Sequence, residues 1–77
     1  MDRWTEIELF VHVAELGSLT RAAQTLGLSN AAASRHLAAL EERLAARLVQ
    51  RNTRRLCLTE VGEAFFHRCK PLLGELR

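Results

Sequence analysis

Apolar residues recur at spacings of three and four through the first sixteen residues of the chain. They are Ile7, Phe10, Val11 and Ala14, and the polar side chains between them are Glu6, Glu8, His12 and Glu15. This period is typical of an amphipathic helix, and it predicts a helix over residues 4–16 with the four polar residues outside its apolar face. Gly17 fits the left-handed position that commonly ends a helix.

Serine and glycine residues divide the next segment into two helices. Ser18 and Ser29 are suited to be N-caps, whose side-chain oxygen accepts a backbone N–H of the first turn. Gly27 ends a short second helix over residues 20–26. The third helix begins at Asn30 and runs for about four turns, and its apolar stripe consists of Ala33, Leu37, Leu40 and Leu44.

The last third of the chain predicts a small hairpin and a fourth helix. Two short apolar-rich runs, residues 48–51 and 56–58, flank a polar stretch and are typical of paired strands. Thr59 is suited to cap the fourth helix, whose residues at helical spacing are Val61, Ala64, Phe65, Arg68 and Leu72. Pro71 leaves two alternatives, a kink or a helix end near Lys70, because proline inside a helix removes a hydrogen bond.

These elements predict one all-α domain with a small β-hairpin. The chain has 77 residues, about the size of a single small domain. Nearly half of the residues are apolar, and most of these are alanine and leucine, which favour helices.

Charge is unevenly distributed, although the net charge is only +2. Residues 1–28 carry two arginines and four acidic residues, whereas residues 29–58 carry six arginines and two glutamates. Arginine suits phosphates and base edges because its planar guanidinium can donate two parallel hydrogen bonds. The middle of the chain is therefore the candidate surface for nucleic acid.

Other classes of function have little support. Two cysteines without a signal peptide indicate reduced thiols in the cytosol, and no apolar stretch approaches the roughly 20 residues that span a bilayer. His67 and Cys69 are two positions apart on a helix and point to different sides, so no metal site is expected. Because no nucleophile elbow, converging carboxylates or glycine-rich phosphate loop occurs, neither an enzyme nor a cofactor is expected.

Residues 18–37 combine a short helix, a tight turn and a longer helix. Ala23 is small enough for the two helices to cross steeply, and Gly27 permits positive φ in the turn. This geometry predicts a helix-turn-helix whose longer helix enters the major groove of DNA. An ordinary corner between packed helices is the structural alternative, and a helical module that binds protein is the competing function. The arginine-rich hairpin favours DNA because it forms a wing beside the recognition helix.

Three segments of the chain resemble the DNA-binding domain of LysR-type transcriptional regulators. The opening of that domain is similar to residues 10–23, which read FVxVAExGSxTRAA. Its recognition helix is similar to residues 29–41, SxxAxSRxLxxLE, and the signature after its wing is similar to residues 58–62, LTExG. The resemblance spans roughly residues 3–70, and the segments occur in the family's order and spacing.

The resemblance implies a winged helix-turn-helix followed by a linker helix through which two subunits pair. The DNA-binding domain would cover residues 1–58, with the helix-turn-helix at about 18–37 and the wing at about 48–58, and the linker helix residues 59–77. The chain would end before a larger domain that binds a small inducer. The expected partners are double-stranded DNA and a second copy of the chain, or a tetramer in the full-length protein, in a bacterial cytoplasm and without a membrane.

The candidate site residues fall into four groups. The recognition helix is expected to present to DNA Ser29, Asn30, Ala31, Ala32, Ser34, Arg35 and His36, although His36 is equally well explained as a solvated residue. The candidate phosphate contacts of the second helix are Ser18, Thr20 and Arg21, and those of the wing are Arg51, Arg54 and Arg55. The candidate pairing residues are Trp4, Leu9, Phe65, Phe66 and Leu72, and a place in the core is the alternative for the first four.

The chain departs from the family pattern at three places. Asn30 and Ala31 stand where the family often has glutamine and proline; asparagine can still pair with adenine, but the resemblance carries no base preference over to this chain. Ala45 stands where the family favours a helix-ending glycine, and because alanine disfavours positive φ, the third helix is expected to run further. The wing begins with Leu-Val-Gln-Arg at residues 48–51, where the family often has Leu-Phe-x-Arg.

Overall fold

A computed structural model describes residues 3–51 and 56–76 of the chain. Over these residues the chain forms α1 (Arg3–Leu16), α2 (Leu19–Leu26), α3 (Asn30–Leu44), β1 (Val49–Arg51), β2 (Leu56–Leu58) and α4 (Glu60–Leu76). The strands pair antiparallel, with Val49 opposite Leu58 and Arg51 opposite Leu56. The predicted all-α fold with a small β-hairpin is confirmed, and each element begins within one residue of its predicted start.

Serine side chains fix the beginnings of α2 and α3. The Arg21 N–H donates to Ser18 Oγ (3.2 Å), and the Ala32 N–H donates to Ser29 Oγ (3.1 Å). Each bond satisfies one of the backbone donors that a helix leaves without a partner in its first turn. Both predicted N-caps are therefore confirmed.

Three helices end at a residue in the left-handed conformation. These residues are Gly17 (φ 67°), Gly27 (φ 71°) and Ala45 (φ 52°). The prediction that α3 runs beyond Ala45 is wrong, although alanine costs about 1–2 kcal/mol in this conformation. The Ala45 and Ala46 N–H groups donate to the Glu42 and Glu41 carbonyls (both 3.1 Å), so the turn satisfies carbonyls at the end of the helix.

The main core lies between α1, α2, α3 and the hairpin. Its buried residues are Leu9, Phe10, Val13, Ala22, Ala23, Ala33, Leu37, Leu40, Leu48 and Val49. A second, smaller cluster joins α1 to α4 and consists of Val11, Cys69 and Leu73. Because α1 contacts all three other helices, it holds the helix-turn-helix and α4 in one body.

Two of the predicted apolar stripes are only partly right. Leu44 is 40% exposed because α3 ends there and the chain turns away at the next residue. On α4 the buried apolar side chains are those of Cys69 and Leu73, whereas Val61 and Leu72 are more than half exposed. Of the stripe predicted for α4, Phe65 packs against Phe10 of α1 (ring centroids 5.6 Å apart), whereas Val61 and Leu72 lie off the face that contacts α1.

Glu6 was predicted to lie outside the apolar face of α1, and this prediction is wrong. Its side chain is only 1% exposed and forms an ion pair with Arg43, near the C-terminal end of α3. Carboxylates are almost never fully buried unless they are paired. This ion pair therefore accounts for a glutamate on the inner side of α1.

The hydroxyl of Thr59 caps α4 as predicted, because the Gly62 N–H donates to Thr59 Oγ1 (2.9 Å). The helix then continues past Pro71 to Leu76, so it does not end near Lys70. Pro71 deprives the carbonyl of His67 of its helical donor. Both residues are exposed, and this carbonyl can bond water instead.

Candidate nucleic-acid interface

The N-terminal half of α3 carries the predicted base-reading residues. Ser29, Asn30, Ala31 and Arg35 are exposed, and Ala32, Ser34 and His36 are half-buried. Ala33 and Leu37 anchor the opposite side of the helix in the core. One face of α3 is thereby fixed to the domain while the other presents an amide and a guanidinium, both of which can form paired hydrogen bonds to a base.

His36 occupies the flank of α3. Its Nδ1 atom is buried and has no hydrogen-bond partner among the described residues. The imidazole as a whole is half-buried, so it is less accessible than Arg35. The placement leaves both interpretations of this residue open, a DNA contact or a solvated side chain.

The predicted phosphate contacts of α2 lie at its N-terminal end. Thr20 and Arg21 are exposed, and Ser18 is half-buried. The hydroxyls of Ser18 and Ser29 accept the capping N–H groups, and a serine hydroxyl that accepts one hydrogen bond keeps its own proton to donate. Capping is therefore compatible with a phosphate contact at both serines.

A groove of about 720 Å³ separates α3 from the hairpin. We call it the α3–wing groove, and the described residues that line it are Ser34, Ala38, Glu41, Arg47, Val49, Gln50 and Thr59. Sequence reasoning missed Arg47 and Gln50 as site residues. Side chains alternate between the two faces of a strand, so Gln50 is expected on the exposed face of β1 and its neighbour Val49 on the buried face. No local pattern in the sequence predicts that Arg47 lies beside α3.

Glu41 ties the base of the wing to α3. Its Oε2 atom accepts the N–H groups of Leu48 (2.8 Å) and Val49 (3.2 Å). A carboxylate in the last turn of a helix is unfavourable for the helix dipole, and these two donors compensate it. The sequence pattern gave no signal of this role for Glu41.

The N-terminus of α4 holds the same segment from the other side. The Thr59 N–H donates to the Leu48 carbonyl (3.0 Å), and the Thr59 hydroxyl donates to the Arg47 carbonyl (2.5 Å). The backbone at residues 47–49 is therefore bonded both to α3 and to the beginning of α4. This arrangement fixes the wing relative to the recognition helix.

The wing arginines are described only in part. Arg51 belongs to β1 by its backbone. Arg54 and Arg55 lie outside the described residues, as does the side chain of Arg51. Their predicted role in DNA binding stays a prediction.

The candidate pairing residues occupy different environments. Leu9 has no exposed surface, so it belongs to the core and not to a pairing surface. Trp4, Phe65 and Phe66 are half-buried against the core clusters, which leaves part of each ring accessible. Leu72 is 56% exposed, so its side chain is accessible to a second molecule.

The cysteine and histidine side chains considered as reactive or metal-binding groups lie in different environments. Cys57 is exposed on β2, and Cys69 is buried, where burial raises the pKa of the thiol and favours its unreactive neutral form. His67 is exposed and points away from Cys69, as the helical spacing predicts. The described residues bring no three potential metal ligands together, and no helix within residues 3–51 and 56–76 is long and apolar enough to cross a membrane.

A family model described as the bacterial regulatory helix-turn-helix protein, lysR family, matches residues 4–63. The chain belongs to the LysR family. The match covers the helix-turn-helix, the wing and the first turn of α4, and it confirms the resemblance of the three sequence segments. The geometry of α2, α3 and the hairpin is accordingly that of the family's winged helix-turn-helix DNA-binding domain.

Curated relatives of this LysR domain are transcription regulators. An HTH-type transcriptional repressor of Pseudomonas aeruginosa (strain UCBPP-PA14) is 45% identical over 76 residues, which are 99% of this chain and 24% of that protein. The HTH-type transcriptional regulator CrgA of Neisseria meningitidis serogroup C (strain 8013) is 45% identical over 71 residues, 92% of this chain and 24% of CrgA. The chain thus spans about a quarter of the length of these relatives.

Some of the solved structures similar to the LysR domain are complexes with DNA. The complex of BenM_DBD with catB site 1 DNA matches with a TM-score of 0.90 and 32% identity, covering 99% of this chain and 84% of that one. Full-length CbnR complexed with its target DNA matches with a TM-score of 0.84 and 32% identity, covering 96% of this chain and 25% of that one.

Proposed function

We propose that this LysR domain binds double-stranded DNA sequence-specifically as the operator-reading part of a dimeric transcription regulator. The observation that carries the proposal is the exposed N-terminal half of α3, where Asn30 and Arg35 project from a helix whose opposite side is anchored in the core. Similarity to BenM_DBD in complex with catB site 1 DNA supports it.

Each predicted contact has a role in this proposal. Asn30, Ala31, Ala32, Ser34 and Arg35 read base edges in the major groove, where each base pair presents a distinct pattern of donors and acceptors. Ser18, Thr20, Arg21 and Ser29 contact phosphates, and His36 contacts the same strand or remains solvated. Arg51, Arg54 and Arg55 reach the flanking minor groove from the wing.

A dimer would place two recognition helices in successive major grooves of an interrupted palindrome, about one helical turn or a multiple apart. Residues 59–77 would be the linker helix of this dimer, after a DNA-binding domain of residues 1–58. The exposed Leu72 and the accessible parts of Trp4, Phe65 and Phe66 are the apolar surface available for pairing. In the full-length protein, a tetramer and an inducer-binding domain are proposed from the family alone.

The proposed activity is regulation in a bacterial cytoplasm and not catalysis. The curated relatives are named as transcription regulators. Their names give no reason to propose that this chain catalyses a reaction. Neither activation nor repression is favoured by any contact among residues 3–51 and 56–76.

Selection of bound sequences from a random pool of DNA duplexes tests the proposed function. The expected result is an enriched interrupted palindrome, because two copies of α3 related by a two-fold axis read inverted half-sites. A single enriched half-site would contradict the dimer while leaving DNA reading intact. A pool that stays random under low salt would contradict sequence-specific binding itself.

Replacing Arg35 by alanine is expected to weaken binding to the selected operator by about 1–3 kcal/mol and to relax the preference at one position in each half-site. The reason is that a guanidinium pairs bidentately with guanine O6 and N7. Titrations on the selected operator and on single-position variants measure both effects, with Arg3→Ala as the charge-matched control at the start of α1. Equal weakening on every sequence would mean that Arg35 contacts only phosphate.

A further inference from the structure

We infer that Arg47 is a phosphate-binding residue, which contacts the DNA strand that crosses the α3–wing groove. The ligand is the phosphodiester backbone, and the inference rests on the proposed function of α3 and the wing. Arg47 belongs neither to the recognition helix nor to the wing arginines identified from sequence, so it adds a further contact region between the two.

The position of Arg47 is fixed by the backbone around it. Its carbonyl accepts the Thr59 hydroxyl (2.5 Å), and the following residue, Leu48, donates its N–H to Glu41 Oε2 (2.8 Å). The side chain itself is exposed and lines the groove. An anchored backbone with an exposed cation loses less conformational entropy when it binds an anion than a cation on a flexible loop does.

The path of the DNA explains why a phosphate would lie there. One phosphodiester strand separates the major groove of B-DNA from the adjacent minor groove. With α3 in the major groove and the wing in the flanking minor groove, that strand must pass between α3 and the hairpin. The α3–wing groove occupies this space.

The charges in the groove point to Arg47 as the residue that meets the phosphate. Among the described residues that line it, Arg47 carries the only positive charge and Glu41 the only negative one. No ion pair joins these two side chains, and the Glu41 carboxylate is bonded to the N–H groups of β1. A phosphate in the groove would be repelled by the Glu41 carboxylate unless a cation lay nearby. Arg47 is that cation.

The first test compares the salt dependence of operator binding between the wild-type chain and Arg47→Gln. Each phosphate contact contributes about −0.9 to the slope of log K against log salt. Arg47→Gln is therefore expected to reduce the magnitude of the slope by about 0.9 per subunit. When salt is raised from 50 to 200 mM, the resulting loss of affinity per subunit should be about 3.5-fold smaller for the variant than for the wild type. Arg47→Lys should keep most of the slope, and Arg3→Gln, which removes the same charge outside the groove, should leave it unchanged.

The second test locates the contact on the DNA. Single phosphates between the major-groove half-site and the flanking minor groove are replaced one at a time by neutral methylphosphonates. The wild-type chain should lose affinity at one or two of these phosphates, and Arg47→Gln should lose nothing further at the same phosphates. Thermal unfolding of both proteins shows whether the variant is folded.

The outcomes separate this inference from the proposed function. A folded Arg47→Gln variant that binds the operator with the wild-type salt slope, and with the same methylphosphonate profile, overturns the phosphate contact while DNA reading stands. A wild-type chain that binds no selected duplex overturns the proposed function, and the inference falls with it.

Discussion

Replacing Gly62 by alanine is expected to destabilise the domain by about 3 kcal/mol, the upper part of the range for overpacking a dense interior. A Cβ atom at this position would lie 2.0 Å from the Leu48 carbonyl oxygen and 2.9 Å from its carbonyl carbon. The Leu48 backbone cannot move aside alone, because its carbonyl accepts the Thr59 N–H and its N–H donates to Glu41. The N-terminus of α4 would have to separate from the hairpin.

Gly74 provides the matched control on the same helix. A Cβ atom there would meet nothing within 4 Å, and alanine is a better helix former than glycine by about 1 kcal/mol. Gly74→Ala should therefore be neutral or slightly stabilising. Urea unfolding followed by circular dichroism compares the two free energies of unfolding, and equal stabilities of Gly62→Ala and Gly74→Ala would contradict the close packing of α4 on Leu48.

Replacing Arg43 by alanine is expected to cost about 2–4 kcal/mol of stability because it leaves the Glu6 carboxylate without its partner. Removing one member of a fully buried ion pair costs roughly 3–5 kcal/mol. Glu6 is 1% exposed but Arg43 is 36% exposed, so water screens part of the interaction and lowers the expected loss. The free energy of unfolding from urea titration measures it.

Two further variants give this prediction its controls. Lys70 and Glu15 form an exposed ion pair between α4 and α1 (3.2 Å), and exposed pairs contribute at most about 1 kcal/mol, so Lys70→Ala should cost much less than Arg43→Ala. The double variant Glu6→Leu with Arg43→Leu should recover most of the loss, because it removes the buried charge together with its partner. A double variant as unstable as Arg43→Ala would contradict the unpaired Glu6 carboxylate as the source of the loss.

Helix boundaries were predicted well because they depend on contacts between near neighbours. Ser18 and Ser29 cap helices through an N–H three residues further on, and Gly17 and Gly27 end them by adopting positive φ. Ala45 is the exception. Its local preference opposes positive φ, and the turn forms there because the next residues must reach β1 and the Glu41 carboxylate.

Faces of helices were predicted less well than their ends. A helical period shows which residues share a side but not which side a neighbouring helix covers. For α4 the apolar residues Val61 and Leu72 suggested one face, and packing against α1 buries Cys69 and Leu73 on another. Glu6 was placed outside for the same reason, since its partner Arg43 is 37 residues away in sequence.

The sequence by itself determined the four helices and the hairpin, the spacing of the helix-turn-helix, the exposed Asn30 and Arg35 on α3, and the likeness to the LysR family. Tertiary structure alone decided the Glu6–Arg43 ion pair, the hydrogen bonds from β1 to Glu41, the close approach of Gly62 to Leu48, and the groove that exposes Arg47. Local propensities and caps act over three or four residues and leave a pattern in the chain. Contacts with backbone groups leave none, because every residue offers the same carbonyl and nearly every residue the same N–H. The Glu6–Arg43 ion pair leaves none either, because its two members are 37 residues apart in sequence. Only the folded chain selects which of these groups meet.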